Sequence, residues 1–272
     1  MVRWRIAFWL QLLLTLTVAA FLLVPVGLSI IAGVTRSYLI GIESGVTLKW
    51  VWRVLDLYSD TIWLSLGIAA ACLAVTLLIG VPLAYVLARS QGWLGRTIEE
   101  LIVLPIAIPG LAIALALIVT YGSVGAFRQN WSFILTGHVL FTLPFMVRPV
   151  LAVMASGCLR ELEDSAASLG ASFRQRFVSV VLPNARSGIL AGSLMVITLS
   201  IGEFNLTWML HTPVMKTLPI GLADSYASMR LEVASAYTLI FFVLIVPLLA
   251  AIQIWSDLTR IARTRPAGGS RR

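Results

Sequence analysis

Two ionisable side chains lie deep inside long apolar stretches, where a charge needs a partner or an aqueous cavity. Glu203 interrupts the apolar run 188–210, and Arg148 interrupts the run 131–157. Glu203 could guide a cationic substrate, or it could make a structural hydrogen bond to a neighbouring helix. Asn205, two residues further on, could serve either role, and both interpretations stay open.

Arg148 has three possible roles. It lies about eight residues, roughly 12 Å of helix, from the end of its apolar run, whereas Glu203 lies about 15 residues, roughly 22 Å, into its own run. Because these depths differ, we do not expect the two side chains to pair. Arg148 could extend to lipid headgroups, hold a nearby polar loop against the helices, or contact a substrate.

No motif for enzymatic chemistry accompanies these residues. Lys49 and Lys216 are the only lysines, and neither follows the glycine-rich loop that would cradle the phosphates of ATP. The sequence has no HExxH or GxSxG motif and no cluster of cysteines and histidines. We therefore expect no catalytic residue, no metal and no cofactor on this chain, and any ATP must be hydrolysed by another polypeptide.

Composition predicts that these residues belong to an integral membrane protein. Of 272 residues, 59% are hydrophobic and only 12% are charged, against about 25% in an ordinary soluble domain. The mean hydropathy is +0.95. This leaves too little polar surface to cover a soluble globule, so we expect a single all-α membrane domain over residues 1–272.

Six transmembrane helices are expected, because about 20 apolar residues cross a bilayer as a helix. Most of the 20 basic residues fall on one side when the N-terminus is placed in the cytoplasm, which predicts that both termini are cytoplasmic. The basic segment 257–272 would then anchor to the inner leaflet. The expected spans lie near 7–33, 61–87, 98–121, 132–157, 188–210 and 235–256.

Small residues and prolines predict local features within these spans. The pair Gly188 and Gly192 could permit close approach of another helix. The prolines expected to kink their helices are Pro82, Pro105, Pro109 and Pro144.

Residues 159–186, which we call the polar loop, form the longest polar interruption between two spans on the expected cytoplasmic side. Gly170 suits a helix C-terminus, Ser172 could cap a second helix, and Pro183 would end it. The polar loop should therefore be two short helices joined by a tight turn. Their apolar faces are too narrow to form a core, so a partner protein is the simplest cover.

The polar loop resembles the "EAA" loop of permease subunits in binding-protein-dependent ABC importers. The resemblance rests on Asp164-Ser165-Ala166, on Gly170, and on Leu182-Pro183 at the matching distance, with Asp164 and Ser165 standing where the motif name has Glu and Ala. It extends over most of the chain. Residues 162–171 look closest to the group that imports polyamines, ferric iron and organophosphonates.

This resemblance implies a type I importer permease fold in the bacterial inner membrane. The partners would be a second, non-identical permease, two subunits that use ATP and Mg, and an extracytoplasmic binding protein, with no nucleic acid. The polar loop would dock on an ATP-binding subunit and couple its motion to the helices. The loop residues implied in this coupling are Leu162, Glu163, Asp164, Ala166, Ala167, Gly170, Ala171, Phe177, Leu182 and Pro183.

Several alternatives remain open. A polyamine is the first expected substrate, with ferric iron or an aminoalkyl phosphonate next. The acidic residues Glu163 and Asp164 could pair with the arginines of the second loop helix, or both faces could simply be solvated. From other classes, an ion-coupled secondary transporter and a membrane subunit with no transport path are the competing interpretations, and the former would want carboxylates in several spans.

Overall fold

The computed structural model describes residues 2–90 and 92–264, and the side-chain surroundings of residues 8–90 and 92–254. Nearly all of this described part is helical, and it contains no β-strand beyond the isolated bridges Thr35–Val46 and Thr212–Met215. The prediction of an all-α membrane protein is therefore confirmed.

Thirteen α-helices occur in the described residues, together with a 3-10 turn at Gly41–Ser44 and a π-helical turn at Phe177–Val181. The helices are α1 Val2–Ala32, α2 Lys49–Leu57, α3 Ser59–Arg89, α4 Trp93–Ala107, α5 Gly110–Tyr121, α6 Gly125–Arg128, α7 Trp131–Met154, α8 Gly157–Ser168, α9 Phe173–Arg176, α10 Leu182–Gly202, α11 Asn205–Leu210, α12 Leu218–Ala227 and α13 Leu231–Thr264.

Five helical stretches are long and apolar enough to cross a membrane, and a sixth span exists if α4 and α5 count as one. That third span is broken, because α4 and α5 meet at Ile108–Pro109 with a bend of 106°. Pro109 has no N–H to donate and precedes α5, as expected for a proline that interrupts a helix. The prediction of a bend at Pro109 is confirmed.

The fifth span differs from its predicted bounds of 188–210. Its helix runs from Phe173 to Gly202 through α9, the π-helical turn and α10. The backbone of Glu203 is extended, with φ −70° and ψ 114°, and α11 begins only at Asn205. Hydropathy counts apolar residues and does not detect such an interruption, so the expected single helix is wrong at both ends.

Pro183 does not end a helix, contrary to the prediction from sequence. A proline ring normally clashes with the carbonyl four residues earlier. Here the π-helical turn directly precedes α10 and shifts the hydrogen-bond register, and the side-chain amide of Asn184 donates to the carbonyl oxygen of Val180 at 2.7 Å. The second half of the polar loop is therefore continuous with the fifth span.

By backbone contacts the chain divides into two compact units, Met1–Ser59 with Gly221–Leu244, and Asp60–Ile220 with Ile245–Arg272. In the first unit a Cβ on Gly33 would lie 2.6 Å from the carbonyl oxygen of Ser235, so these two backbones touch. Glu232 also accepts a hydrogen bond from the backbone N–H of Tyr38 at 3.0 Å. The single-domain description stays a prediction. So does the anchoring of the basic segment 257–272 to the inner leaflet, and residues 265–272 of that segment lie outside the described residues.

In the second unit α7 is the central helix, and α10 packs along it. A Cβ on Gly188 would lie 2.5 Å from the carbonyl oxygen of Pro149, and a Cβ on Gly192 would lie 2.8 Å from the sulfur of Met146. The two helices therefore approach at van der Waals distance, as the spacing of the two glycines predicted.

Two apolar clusters occupy the interior of this second unit. The first joins α3, α7, α8 and α10 beside the polar loop, and the second joins α3, α5, α7 and α11. The polar loop thus rests on a packed core, and the broken ends of the third and fifth spans meet at the second cluster.

Candidate functional site

The first helix of the polar loop, α8, ends in a tight left-handed turn. Gly170 has φ +83°, a conformation that strains any residue with a Cβ. The N–H of Gly170 donates to the carbonyl of Ala167 at 2.9 Å, and the N–H of Ala171 donates to that of Ala166 at 3.1 Å. These two bonds form a Schellman motif, which confirms that Gly170 terminates the helix.

The second helix of the polar loop starts at a capping box. The backbone N–H of Ser172 donates to the side-chain oxygen of Gln175 at 2.8 Å, and the N–H of Gln175 donates to the hydroxyl of Ser172 at 3.4 Å. The predicted cap at Ser172 is confirmed. Both helix ends that form the turn are thus satisfied locally, so the turn is a stiff element.

Glu163 anchors the polar loop to the rest of the second unit. Its side chain is only 4% exposed, and its carboxylate accepts hydrogen bonds from Nε and Nη2 of Arg89, the former at 3.0 Å. The hydroxyl of Tyr85 donates to Oε1 at 2.6 Å, and Nη1 of Arg176 lies 3.8 Å from the same oxygen. We call Glu163, Arg89, Tyr85 and Arg176 the Glu163 cluster.

The Glu163 cluster and its immediate contacts connect five elements, α3, α7, α8, α9 and the π-helical turn. Arg89 ends α3 and also donates from Nη1 to the carbonyl of Met154 at the end of α7, at 2.9 Å. The ring of Tyr85 packs edge-on against Phe177, with ring centroids 5.2 Å apart, and against Phe173. A displacement of α8 would therefore be felt by α3 and α7 as well as by the π-helical turn.

Electrostatics keep Glu163 ionised. Burial alone would raise the pKa of the Glu163 carboxyl, but hydrogen bonds from Tyr85 and Arg89 and the positive charges of Arg89 and Arg176 outweigh it. The pKa therefore lies below its ordinary value, and the carboxylate carries its charge at neutral pH.

The tip of the polar loop exposes apolar side chains. Leu169 is 89% exposed, and Leu162, Phe173 and Val178 are each about half exposed. A group of exposed apolar side chains rimmed by polar residues is typical of a surface that contacts another protein. A partner surface would bury these side chains.

Glu203 lies at the break in the fifth span and caps the helix that follows. Its Oε1 accepts the backbone N–H of Leu206 at 2.8 Å. A Cβ on Gly110, the first residue of α5, would lie 3.6 Å from this oxygen. Both broken spans therefore meet at Glu203, which favours the structural interpretation of its carboxylate. Asn205 beside it is exposed.

Arg148 is exposed and does not contact the polar loop or Glu203. It lines an open groove of about 360 Å³ between α4 and α7, together with Arg96, Glu99, Glu100 and Val103. In the described residues no hydrogen bond or ion pair of Arg148 supports the hypothesis that it holds the polar loop against the helices.

Comparison with known proteins identifies the family. Residues 78–260, about two thirds of the chain, match the family described as "Binding-protein-dependent transport system inner membrane component". The match includes the polar loop and both broken spans. The chain belongs to this family.

Several relatives of this family member are named as permease proteins of molybdenum, molybdate/tungstate or sulfate transport systems. The Molybdenum transport system permease protein of Mycobacterium bovis is 32% identical over 172 residues, covering 58% of this chain and 65% of the relative. The Molybdate/tungstate transport system permease protein of Pyrococcus furiosus is 32% identical over 186 residues, 68% of this chain and 71% of the relative. The Sulfate transport system permease protein of a Synechocystis species is 30% identical over 213 residues, 72% and 76%. The alignment with the Mycobacterium protein thus spans less than two thirds of that relative's length.

Within this family member, the residues predicted to contact an ATP-binding subunit differ in exposure. Glu163 is buried and bonded inside the chain, so its carboxylate is not presented to a partner. The exposed residues of that set are Leu162, Asp164, Ala167 and Gly170, and the half-buried ones are Ala166, Ala171, Phe177, Leu182 and Pro183. Their role in coupling stays a prediction.

Sequence reasoning missed Arg89 and Tyr85. From the sequence, Arg89 is only one of 20 basic residues, and no local pattern gives Tyr85 a role. The available signal is their spacing of four residues, which places both on one face of the last turns of α3. Their acidic partner Glu163 lies 74 residues after Arg89, beyond the reach of local sequence patterns.

Proposed function

We propose that this chain is the permease subunit of an ATP-driven importer, with the polar loop as its coupling element on the cytoplasmic side. The observation that carries the proposal is the polar loop itself. Its base is tied to α3 and α7 through the Glu163 cluster, and its tip exposes Leu162, Leu169 and Phe173. A stiff turn with a fixed base and an unburied apolar tip suits a part that receives force from another protein.

A displacement of the polar loop can reach the membrane-spanning helices through two structural connections. One is the uninterrupted helical stretch from Phe173 to Gly202, which moves with the second half of the polar loop. The other is the Glu163 cluster, which connects α8 to the ends of α3 and α7. Because close-packed interiors transmit displacement poorly as continuous bending, rigid movement of these helices is the expected response.

The complete importer would contain partners that supply what this chain lacks. The chain would form half of the translocation path, with a second permease forming the other half. Two ATP-binding subunits would use ATP and Mg, and an extracytoplasmic binding protein would deliver substrate. Both termini would lie in the cytoplasm of a bacterial cell, with the helices in the inner membrane.

An oxyanion is the substrate class that the relatives support. Those described above are named for molybdenum, for molybdate and tungstate, and for sulfate. The carboxylate of Glu203 accepts the backbone N–H of Leu206, so it gives no support to a cation-guiding role. The polyamine expected from sequence, with ferric iron and aminoalkyl phosphonates, is not supported by these relatives and is kept as an alternative for the transport assay.

Site-directed crosslinking tests the coupling role. Cys158 is exposed at the start of α8 and must first be replaced by serine, whereas Cys72 is buried and can remain. In this background we compare Ser168→Cys, at the exposed end of α8, with Ser123→Cys, exposed between α5 and α6. Coexpressed with the subunits encoded beside it, the Ser168 variant should crosslink to the ATP-binding subunit and the Ser123 variant should not. Absence of that adduct in an assembled complex contradicts the proposal.

Reconstituted vesicles test the transport role. Vesicles holding ATP, with binding protein outside, should accumulate labelled molybdate or sulfate and should not accumulate spermidine. Spermidine uptake would replace the substrate class and keep the importer. Uptake driven by an ion gradient without ATP would favour a secondary transporter, and no uptake at all from an assembled complex would favour a subunit without a transport path.

A further inference from the structure

His138 is buried at the break of the fifth span and uses both ring nitrogens. Its side chain lies on α7 and is 1% exposed. Nδ1 is 2.8 Å from the hydroxyl of Ser200, near the end of α10, and Nε2 is 2.8 Å from the hydroxyl of Thr207, in α11. One imidazole ring therefore joins the two helices on either side of the break.

This ring belongs to a polar layer between the two apolar clusters. Along α7, Ile134 belongs to the cluster beyond the break and Met146 to the cluster beside the polar loop, and His138 and Thr142 lie between them. Thr142 also contacts the sulfur of Cys72 at 3.1 Å. Apolar packing is non-directional, so by itself it does not prevent rotation of α11, in one cluster, against α10, in the other. The directional contacts in the polar layer restrict that rotation.

The helix beyond the break is held at both ends by other contacts. Glu203 caps its start, and Nη1 of Arg128 donates to the carbonyl of Leu210 at its end, at 2.7 Å. α11 is thus attached to α5, α6 and α7, whereas α10 is continuous with the polar loop. Between α10 and α11 the backbone crosses only Glu203, which is extended, and Phe204, whose carbonyl accepts the N–H of Trp208 as the N-cap of α11.

We infer that His138 is a positioning residue that holds the angle between α10 and α11, so that displacement of α10 reaches α11 instead of being absorbed at the break. This role rests on the proposed function. Without the two hydrogen bonds, rotations about Glu203 and Phe204 would take up the movement, as they do at a hinge. The polar loop and α10 would then still move with ATP hydrolysis by the partner subunit, but α11, beyond the break, would not move with them.

Conservative substitutions separate this role from simple loss of packing. Thr207→Val keeps the shape and removes one of the two bonds. Thr136→Val is the matched control, because Thr136 lies on α7 two residues from His138 and its hydroxyl bonds only the carbonyl of Ser132 in its own helix, at 2.9 Å. His138→Asn and His138→Gln place an amide near the Nδ1 and Nε2 positions, so each keeps one bond.

In the reconstituted complex, uptake per ATP hydrolysed should fall by about fivefold to thirtyfold in Thr207→Val, His138→Asn and His138→Gln, the factor that the loss of one buried hydrogen bond with its partner left unsatisfied can represent. ATP hydrolysis itself should stay close to that of the wild type, and Thr136→Val should transport normally. Equal uptake per ATP in Thr207→Val and Thr136→Val overturns the inference. Loss of ATP-driven uptake in the wild type would instead overturn the proposed function.

A distance measurement gives a readout that does not depend on transport. Spin labels on cysteines introduced by Met195→Cys in α10 and Trp208→Cys in α11, both at exposed positions, report the angle across the break in the purified complex. The labelling is done in the Cys158→Ser background, in which the native cysteine Cys72 is buried. The wild type and Thr136→Val should give one narrow distance distribution, and Thr207→Val should broaden it. Identical distributions in all three proteins contradict the role of His138, whatever the substrate.

Discussion

Replacing Glu163 by glutamine should destabilise the protein and uncouple transport. Glutamine keeps the size and one acceptor oxygen but loses the charge that Arg89 and Arg176 face. Removing one partner of a buried ion pair costs about 3–5 kcal/mol. The side chain of Arg89 is 20% exposed and can regain some water, so we expect a loss nearer about 2–3 kcal/mol in the free energy of unfolding.

Thermal unfolding in detergent measures this loss. For a chain of this size the expected change corresponds to a melting temperature lower by about 4–12 °C. Glu161→Gln is the matched control, since Glu161 is exposed on the same helix, and its effect should stay within about 0.5 kcal/mol. Combining Glu163→Gln with Arg89→Gln should cost less than the sum of the single variants, by about 1–3 kcal/mol.

The ionised carboxylate of Glu163 also predicts how the stability of the protein depends on pH. The pKa of Glu163 is lowered in the folded protein, because hydrogen bonds and positive charges outweigh burial. Its stabilising effect is therefore fully present above the ordinary carboxyl pKa of about 4.3 and is lost as the pH falls through the lower folded value. The stability difference between the wild type and Glu163→Gln should be constant from pH 6 to 8 and shrink in acid. Equal melting of Glu163→Gln, Glu161→Gln and the wild type at pH 7 would refute the reasoning.

Substitutions at four further positions test the turn, the helix contact and the break in the fifth span. Gly170→Pro cannot adopt φ +83° and should abolish uptake while the chain still inserts into the membrane, and Gly170→Ala should cost about 1–2 kcal/mol. Asp164→Lys, at an exposed position, should abolish uptake with a change in stability below about 0.5 kcal/mol, measured by vesicle uptake and melting. Gly188→Ala should lower stability by about 1–3 kcal/mol, because its Cβ would meet the backbone of Pro149, whereas Gly67→Ala, with open space around it, should be neutral or stabilising in the same melting assay. Glu203→Gln keeps an oxygen for the N–H of Leu206, so uptake of an oxyanion should be unchanged, and a selective fall in uptake of a cation would restore the cation-guiding interpretation.

Sequence signals predicted the turn between the two helices of the polar loop because the rules for capping are local. A glycine at a helix end and a serine at the start of the next helix describe backbone hydrogen bonds within a few residues, and both caps form as expected. The inward orientation of Glu163 could not be predicted in this way. It depends on Arg89 at the end of another helix, and only the packed fold brings the two together.

The broken spans show the corresponding limit of hydropathy. An apolar run has the same mean hydropathy whether its helix is continuous or interrupted, so 188–210 was predicted as one helix. The interruption is set by Glu203, whose carboxylate bonds the N–H of Leu206 and starts a new helix. A polar side chain inside an apolar run is thus a signal for a helix break as well as for a substrate contact, and only the contacts of the folded chain distinguish the two.

Directional polar contacts lie at both ends of α10, and this arrangement determines what the helix can transmit. The helix has 21 residues and is about 30 Å long. Arg176, just before its π-helical turn, belongs to the Glu163 cluster, and Ser200, near its end, is bonded to His138. Between them Gly188 lies in close contact with α7 through backbone atoms, which restrains sliding but does not orient the ends. Under the proposed coupling role, the Glu163 cluster and the polar layer must both be intact for motion at the polar loop to pass along α10 and reach α11.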